Sequence, residues 1–208
     1  MDHQDVQREG APPSTPPSAR PLRADAQRNI DTLLQAAGAV FAEAGVEAPV
    51  REIATRAGVG VGTVYRHFPL RSDLIAAVFR RDIDACADAA PALAAAHGPF
   101  DALAKWMDCY VALVATKRGL AKALHSDEPA YKGFPAYRDQ RLEPALRELL
   151  EAAMANGEVR SDVKPVELLD AVSNLCMSAL PGSSERAARM VRVLLDGLRY
   201  DTGPAPSR

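Results

Sequence analysis

The sequence has little of three features that would assign it to a special class: long apolar runs, cysteine and net charge. No stretch of its 208 residues approaches the roughly 18 apolar residues that a membrane-spanning helix needs, and residues 1–23 contain no apolar leader segment. The three cysteines, Cys86, Cys109 and Cys176, are too few and too widely spaced for a disulfide framework or a CxxC metal site. We therefore expect a soluble, cytoplasmic protein with reduced thiols, no bound metal and no cofactor.

The charge of the chain is nearly balanced, with 25 Lys and Arg against 27 Asp and Glu and a formal net charge of -2. Any surface for nucleic acid must therefore be a local patch, because the whole chain carries no basic excess. Apolar residues make up 48% and charged residues 25%, as in ordinary globular proteins. A chain of this length buries a substantial core without disulfides or metals. These values exclude a stapled mini-protein and a wholly disordered chain.

Strand signals are sparse between the two ends of the chain. β-branched residues are few, alanine is abundant, and apolar residues recur at steps of three and four, which predicts an all-α protein. Residues 1–22 and 202–208 are rich in proline and poor in apolar residues, so we expect disordered tails there. The periodicity predicts helices at about 23–44, 50–57, 61–68, 72–90, from 99 onward, and at 119–125, 134–156, 165–180 and 184–200.

Serine, proline and glycine set the expected ends of several helices. Ser72 is the predicted N-cap of the fourth helix, and Pro91 is its predicted end. Pro144 is expected to kink or split the helix at 134–156, because proline lacks an amide donor. Pro181 and Gly182 predict a tight connection between the last two helices.

The segment VREIATRAGVGVGTVYRHF, residues 50–68, carries the strongest functional signal. Ile53 and Ala54 form an apolar inner face, and a small residue such as Ala54 allows two helices to cross closely. Gly58 permits a left-handed turn, and Val64 anchors the second helix from the inside. This spacing predicts a helix-turn-helix motif.

The second helix of the motif presents hydrogen-bonding and methyl groups outward. The segment also forms a local basic patch, because residues 50–72 contain four arginines and one glutamate, a net charge of +3. Tyr65 can also be a core aromatic, although its place next to Val64 turns it outward, and His67 can also be an ordinary surface histidine. The expected outward residues are Val61, Gly62, Thr63, Tyr65, Arg66 and His67. Together these features favour a DNA-reading motif over a purely structural corner.

These residues resemble the TetR family of transcriptional regulators. The resemblance covers roughly residues 23–80 and consists of a first helix ending FAEAG, then REIATRAGVGVGTVYRHF, then a proline-containing turn and RSDLIAAVF. It implies a homodimer whose two recognition helices enter successive major grooves of double-stranded DNA at an inverted repeat. It also implies that the remaining helices form an effector pocket and a dimer interface.

The resemblance assigns roles to residues of the motif. Thr63 and Tyr65 match positions that touch phosphate or bases, His67 matches a backbone contact, and Arg71 matches a basic residue at the start of the fourth helix that we expect to contact phosphate. Val61 departs from the family pattern, because many members have a polar or basic residue there, and it can offer only an apolar contact to a thymine methyl. The expected DNA-binding set is Arg51, Val61, Gly62, Thr63, Tyr65, Arg66, His67 and Arg71.

The C-terminal part yields an expected effector pocket and an expected dimer interface. Aromatic and methionine side chains are the pocket candidates, although each of them can also be simple core: Trp106, Met107, Tyr110, Phe134, Tyr137 and Met154. Apolar stripes on the last two helices favour a four-helix bundle between two subunits, with interface candidates Leu168, Val172, Leu175, Met190, Leu194 and Leu198. A buried inert thiol is the expected state of each cysteine, with a redox sensor at Cys109 or Cys176 as the alternative.

The sequence as a whole predicts an all-α, ligand-responsive DNA-binding regulator and not an enzyme. We expect a repressor that a small apolar effector releases from a palindromic operator. The alternatives are an activator, or a regulator without a small ligand, and more remotely a small all-α enzyme. The expected organisation is a tail at 1–22, a helix-turn-helix domain at 23–81, a helical effector-binding and dimerisation domain at 82–201, and a tail at 202–208.

Overall fold

The computed structural model describes residues 19–117, 129–176 and 183–199. Within these ranges the regular structure is α-helical apart from one 3₁₀ turn, without any strand, which confirms the all-α prediction. No helix in the described ranges is long and apolar enough to cross a membrane. The helices, numbered in chain order, are α1 Ala19–Ala44, α2 Val50–Ala57, α3 Val61–His67, α4 Arg71–Ala96, α5 Pro99–Lys117, α6 Phe134–Ala155, α7 Pro165–Cys176 and α8 Ser183–Leu198.

The two helices of the motif lie where the sequence predicts them. α2 has the predicted bounds, and α3 ends one residue early, at His67. α1 begins at Ala19, four residues before the predicted start of the first helix at about residue 23. The predictions for residues 1–18, 119–125 and 202–208 and for the connection at Pro181 and Gly182 lie outside the described residues.

α4 differs from its prediction at both ends. It begins directly after Leu70, whose amide donates a hydrogen bond to the Asp73 carboxylate at 3.2 Å, so Ser72 is not the cap. Pro91 lies inside the helix, which continues beyond it for more than a turn. Leu93, in that last part, packs against the core. The contact of the partly buried Leu93 therefore helps to hold the helical turn that follows the proline.

Pro144 lies in the middle of α6 and does not split it. Leu142 and Leu146, on either side of the proline, are both fully buried. Because both flanks of the proline pack into the same core, the helix continues through it despite the lost amide donor.

α4 contributes to two separate hydrophobic cores. An N-terminal core, built by α1, α2, α3 and α4, includes Leu74 and Val78. A C-terminal core, built by α4 and the later helices, includes Ile75, Phe79 and Ile83. Each set is spaced by four residues and so forms one stripe along the helix. One helix therefore supports both the motif and the C-terminal helices, and a change in its orientation affects both.

Candidate nucleic-acid interface

The corner between α2 and α3 is fixed by a glycine and by buried aliphatic side chains. Gly58 has a φ of +68°, in the left-handed region that favours glycine. The amide of Val59 then donates to the carbonyl of Ala54 at 3.0 Å. Ile53, Ala54 and Val64 are buried in the N-terminal core. The structure thus confirms the helix-turn-helix motif that the spacing predicts.

α3 turns one side to the core and the rest to solvent. Val64 is 1% exposed, whereas its neighbour Tyr65 is 50% exposed, so Tyr65 is not a core aromatic. The other expected contacts are exposed or partly exposed: Val61, Gly62, Thr63, Arg66 and His67. Tyr65 and these five residues are thus accessible to DNA, and their contact with DNA stays a prediction.

The basic patch is weaker than the sequence count of arginines suggests. Arg56 forms a two-point ion pair with Glu43 near the end of α1, with N–O distances of 2.8 and 2.7 Å. The hydrogen bond from Arg56 lowers the pKa of the Glu43 carboxyl, so the carboxylate is ionised at neutral pH and offsets the charge of the arginine. Glu43 lies outside the segment 50–72, and only the fold brings it against α2.

Arg71 lies at the start of α4 and directs its guanidinium into the protein. Its Nε donates to the carbonyl of Val46 at 2.7 Å, and a terminal nitrogen donates to the same carbonyl and to that of Ala48 at 2.6 Å. Both carbonyls belong to the connection between α1 and α2. Arg71 is therefore a structural link between α4 and the motif, and its expected phosphate contact stays a prediction.

The outer side of α2 borders an open groove of about 520 Å³, lined by Pro49, Arg51, Glu52, Thr55 and Arg56. Arg51, the expected DNA contact at the start of α2, is exposed at this groove. Glu52 stands next to it, so the groove carries both signs of charge. Arg51 is thus exposed on α2, and its contact with DNA stays a prediction.

Three of the expected effector contacts are sealed in the C-terminal core. Trp106, Met107 and Tyr110 have no solvent exposure. The indole nitrogen of Trp106 donates to the Cys86 carbonyl at 2.8 Å, and the Tyr110 hydroxyl lies 2.6 Å from the Ser173 hydroxyl. Burial raises the pKa of the Tyr110 phenol. These side chains have the partners of packed core residues, so no ligand reaches them unless the core opens.

The other expected effector contacts lie on α6, in more polar surroundings. Phe134 is buried, and Tyr137 is partly exposed and donates to the Asp84 carboxylate at 2.8 Å. Met154 is partly exposed and borders a cavity of about 320 Å³ together with charged residues such as Arg147 and Lys164. The six candidates therefore do not line one common described cavity.

A polar network that sequence reasoning missed joins α4 to α6. Arg141 donates to Asp84 at 2.6 Å and to Asp88 at 2.8 Å, and Tyr137 donates to the same Asp84. The guanidinium of Arg80 lies over the Tyr137 ring, 5.9 Å from its centre. The residues on α4 recur every four positions, a spacing that places charges on one face of a helix. The network ties the helix that supports the motif to the centre of the C-terminal domain.

The stripes expected at the dimer interface divide into a buried and an exposed set. Leu168, Val172 and Leu198 are 0 to 5% exposed within the single chain, so a partner subunit cannot reach them, and their prediction as interface residues was wrong. These residues pack into the core of their own subunit, because the apolar stripe is wide enough to cover that core as well as part of the surface. The exposed set is Leu175, Met190 and Val193, with Leu194 partly exposed.

No group of three histidine, cysteine or acidic side chains within the described ranges is arranged to hold a metal ion.

Comparison with protein families gives two matches that together span most of the chain. A model described as bacterial regulatory proteins, tetR family, matches residues 33–78. A model described as transcriptional regulator SbtR-like, C-terminal domain, matches residues 98–200. Both describe transcriptional regulators and not enzymes.

Individual relatives agree with these matches. A TetR transcriptional regulator from Streptomyces coelicolor is 36% identical, with a TM-score of 0.71 over 83% of this chain and 99% of that one. A TetR transcription regulatory protein from Mycobacterium vanbaalenii is 40% identical, with a TM-score of 0.65 over 86% of this chain and 100% of that one. An HTH-type transcriptional regulator from Staphylococcus aureus is 42% identical over 64 residues, which is 30% of this chain. That match spans only 35% of the Staphylococcus protein.

Proposed function

Because this chain belongs to the TetR family of transcriptional regulators, we propose that it is a repressor that binds an inverted-repeat operator and leaves it when a small apolar molecule binds. The chain is a helix-turn-helix regulator, and regulators of this family bind DNA and act as dimers. Repression, the inverted repeat and the effector are the proposed part. In this proposal residues 23–81 read DNA, and residues 82–201 bind the effector and the second subunit.

The position of α4 in two cores is the observation that carries the proposal. Its stripe with Leu74 and Val78 supports the motif, and its stripe with Ile75 and Phe79 supports the C-terminal helices. An effector that prefers one packing of the C-terminal core shifts the tilt of α4, and the motif moves with it. By linkage such an effector lowers DNA affinity by the same factor as DNA lowers effector affinity.

α3 is the proposed recognition helix, and α2 supports it from the flank. The partly exposed Thr63 and the exposed Tyr65 supply hydroxyl groups for phosphates and base edges, and the partly exposed Val61 supplies a methyl surface for thymine. Arg51 and Arg66 supply positive charge toward the phosphates. Because two of the four arginines at residues 50–72, Arg56 and Arg71, already bond to other groups of the protein, we expect a moderate salt dependence of binding.

The proposed dimer surface consists of the exposed apolar residues of α7 and α8. Met190 and Val193 are 43% and 62% exposed, and Leu194 lies beside them on α8. Their spacing of three and four forms a stripe that a second copy of α8 can cover. Two α7–α8 pairs then make a four-helix bundle across a twofold axis.

A regulator without a small-molecule effector is the second candidate, because the aromatic cluster on α5 is closed and internally bonded. Titration of diverse apolar compounds separates the two candidates, with Trp106 emission and operator binding read together. Under the first candidate one compound changes both signals, and Trp106→Phe alters its affinity. A complete lack of response favours the second candidate, whereas a response to highly charged compounds alone contradicts an apolar effector.

Selection of bound fragments from genomic DNA, followed by footprinting, tests the reading function directly. We expect a protected site with dyad symmetry and half-sites about one helical turn, roughly 34 Å, apart or at a nearby spacing. Protection of a single asymmetric site contradicts the inverted-repeat proposal. The position of the site relative to the promoter, combined with transcription in vitro, then distinguishes a repressor from an activator.

A further inference from the structure

Two cysteines on neighbouring helices lie at the same level of the structure. α4 and α5 form a helical hairpin joined by His97 and Gly98. Cys86 and Cys109 lie equally far in sequence before and after this turn, which places them at a similar height along the hairpin. The indole nitrogen of Trp106, less than one turn from Cys109, donates to the carbonyl of Cys86 at 2.8 Å. This hydrogen bond shows that the Cys109 region of α5 packs beside Cys86 on α4.

Both thiols line one groove between the two helices. The groove has a volume of about 430 Å³, and its lining is mainly apolar: Asp82, Ala85, Cys86, Cys109, Ala112 and Leu113. The alanines on either helix allow a close approach of the backbones, and a disulfide requires Cα atoms within about 7 Å. Both thiols are reduced in the structure. The dithiol groove, as we call it, is large enough to admit a small organic molecule.

The two thiols and the carboxyl group have different environments. Cys109 is exposed, whereas Cys86 is buried, and burial raises the pKa of its thiol to about 12. Cys86 therefore does not react first. Asp82 precedes Cys86 by one helical turn on α4, and burial raises the pKa of its carboxyl, with Arg81 opposing this effect. A partly buried carboxylate with a raised pKa, beside a thiol, is a suitable proton acceptor.

We propose that the dithiol groove is a hydroperoxide-sensing site in which Cys109 and Cys86 form a disulfide between α5 and α4. The Cys109 thiol loses its proton to solvent, and the thiolate attacks a peroxide oxygen, so an S–O bond forms and the O–O bond breaks. The departing hydroxide or alkoxide takes up a solvent proton and leaves as water or an alcohol. Cys86 then passes its proton to Asp82 and attacks the Cys109 sulfur. The S–S bond forms, the S–O bond breaks, and the hydroxide leaves as water with that proton. Both thiols are oxidised and one peroxide is reduced.

The disulfide links the helix that supports the motif to its neighbour. The disulfide fixes the packing of α5 against α4, and we expect this to shift α4, which also supports the motif. This consequence rests on the proposed DNA-binding function. We expect oxidation to lower operator affinity about tenfold, within the range of ordinary allosteric coupling.

Treatment of the full-length protein with hydrogen peroxide or cumene hydroperoxide tests the chemistry without DNA. Peptide mapping by mass spectrometry is expected to find a Cys86–Cys109 disulfide within one chain, and Cys176, which is buried, stays reduced. Cys109→Ser abolishes the product, and Cys86→Ala stops at a sulfenic acid on Cys109 that dimedone traps. Cys176→Ala is the matched control and forms the disulfide like the parent protein.

Asp82→Asn tests the proton acceptor. This variant forms the sulfenic acid at the parent rate and closes the disulfide at least several-fold more slowly. Circular dichroism of each variant before treatment confirms that it is folded. A disulfide between Cys109 residues of two chains, consumption of Cys176, or equal rates in the parent and Asp82→Asn overturns the proposed site.

A gel-shift titration of oxidised and reduced protein on the selected operator tests the regulatory consequence. The regulatory consequence is supported if oxidation lowers operator affinity about tenfold and dithiothreitol restores it. An oxidised protein that carries the mapped disulfide and binds as tightly as the reduced one overturns the switch. Failure of reduced protein to bind any DNA overturns the proposed function instead, because the disulfide is mapped without DNA.

Discussion

Arg71 joins two parts of the motif, and its removal leaves two backbone carbonyls without donors. In Arg71→Ala the carbonyls of Val46 and Ala48 lose hydrogen bonds from a charged group, which typically costs about 1–3 kcal/mol in the free energy of unfolding. We expect a loss of this size in chemical denaturation, with weaker binding to operator and random DNA alike. Arg66→Ala, at an exposed position of α3, is the control and changes stability by less than about 0.5 kcal/mol. Equal stability of both variants contradicts the structural role of Arg71.

Thr63 is the residue of α3 best placed to distinguish base reading from phosphate binding. Thr63→Ala removes a hydroxyl and a methyl that face away from the core, and we expect a loss of about 1–3 kcal/mol in operator binding with little change on random DNA. Thr32→Ala on α1 is the matched control, because Thr32 is exposed and its hydroxyl donates to a carbonyl of its own helix, that of Arg28, at 2.9 Å. Fluorescence anisotropy on both DNAs measures the effect. A uniform loss on both sequences contradicts a reading role.

The sequence predicts the orientation of a side chain where that orientation depends on residues adjacent to it in the chain. The outward position of Tyr65 follows from its place next to the buried Val64. The partners of Arg56 and Arg71, by contrast, lie on α1 and in the connection after it. Sequence spacing carries no signal for such contacts, and the count of basic residues therefore overestimated the patch.

At the scale of the element, the ends of α2 and α3 were predictable and the ends of α4 were not. Gly58 stops α2 by a conformation that glycine alone adopts easily, which is a local effect. Pro91 is also a local signal, but Leu93 beyond it packs against the core. The contact of the partly buried Leu93 with the core outweighs the missing hydrogen bond, and no local pattern shows which of the two effects is larger.

Replacement of Pro91 tests whether packing holds the end of α4 against an intrinsic cost. A proline in a helix interior is about 3 kcal/mol less favourable than alanine, and the more flexible unfolded chain offsets up to about 1 kcal/mol of the gain. We expect Pro91→Ala to raise the free energy of unfolding by about 1–3 kcal/mol. Pro135→Ala, in the first turn of α6 where proline is well accommodated, serves as the control and brings no gain. An unchanged denaturation midpoint for Pro91→Ala speaks against a strained continuous helix.

At the scale of the whole molecule, the division of apolar residues between core and interface was the least predictable feature. A helix stripe shows that a residue is turned away from water, but not whether its own chain or a second copy covers it. Leu198 is covered by its own chain, and Val193 on the same helix is 62% exposed. The fold of one subunit has to be known before the surface left for another can be recognised.

The exposed stripe on α8 predicts how the oligomeric state depends on two residues. Glutamate at positions 190 and 193 stays solvated in an isolated subunit but has to be desolvated in a bundle between subunits, so we expect the double variant Met190→Glu, Val193→Glu to be a folded monomer. Sedimentation velocity at micromolar concentration measures the state, and circular dichroism checks the fold. Ala152→Glu, at an exposed position of α6, is the control and remains dimeric.

The same double variant connects the dimer to the operator. Two readers on a twofold axis bind an inverted repeat with both half-sites engaged, and a monomer engages only one. We therefore expect its affinity for the full operator to fall to that of a single half-site, whereas the Ala152→Glu control still prefers the full repeat. A variant that is dimeric by sedimentation and protects both half-sites in a footprint shows that the subunits associate through another surface. A monomeric variant that protects both half-sites at the same protein concentration as the parent contradicts the prediction. In that case each motif binds its half-site independently, and the dimer adds no affinity.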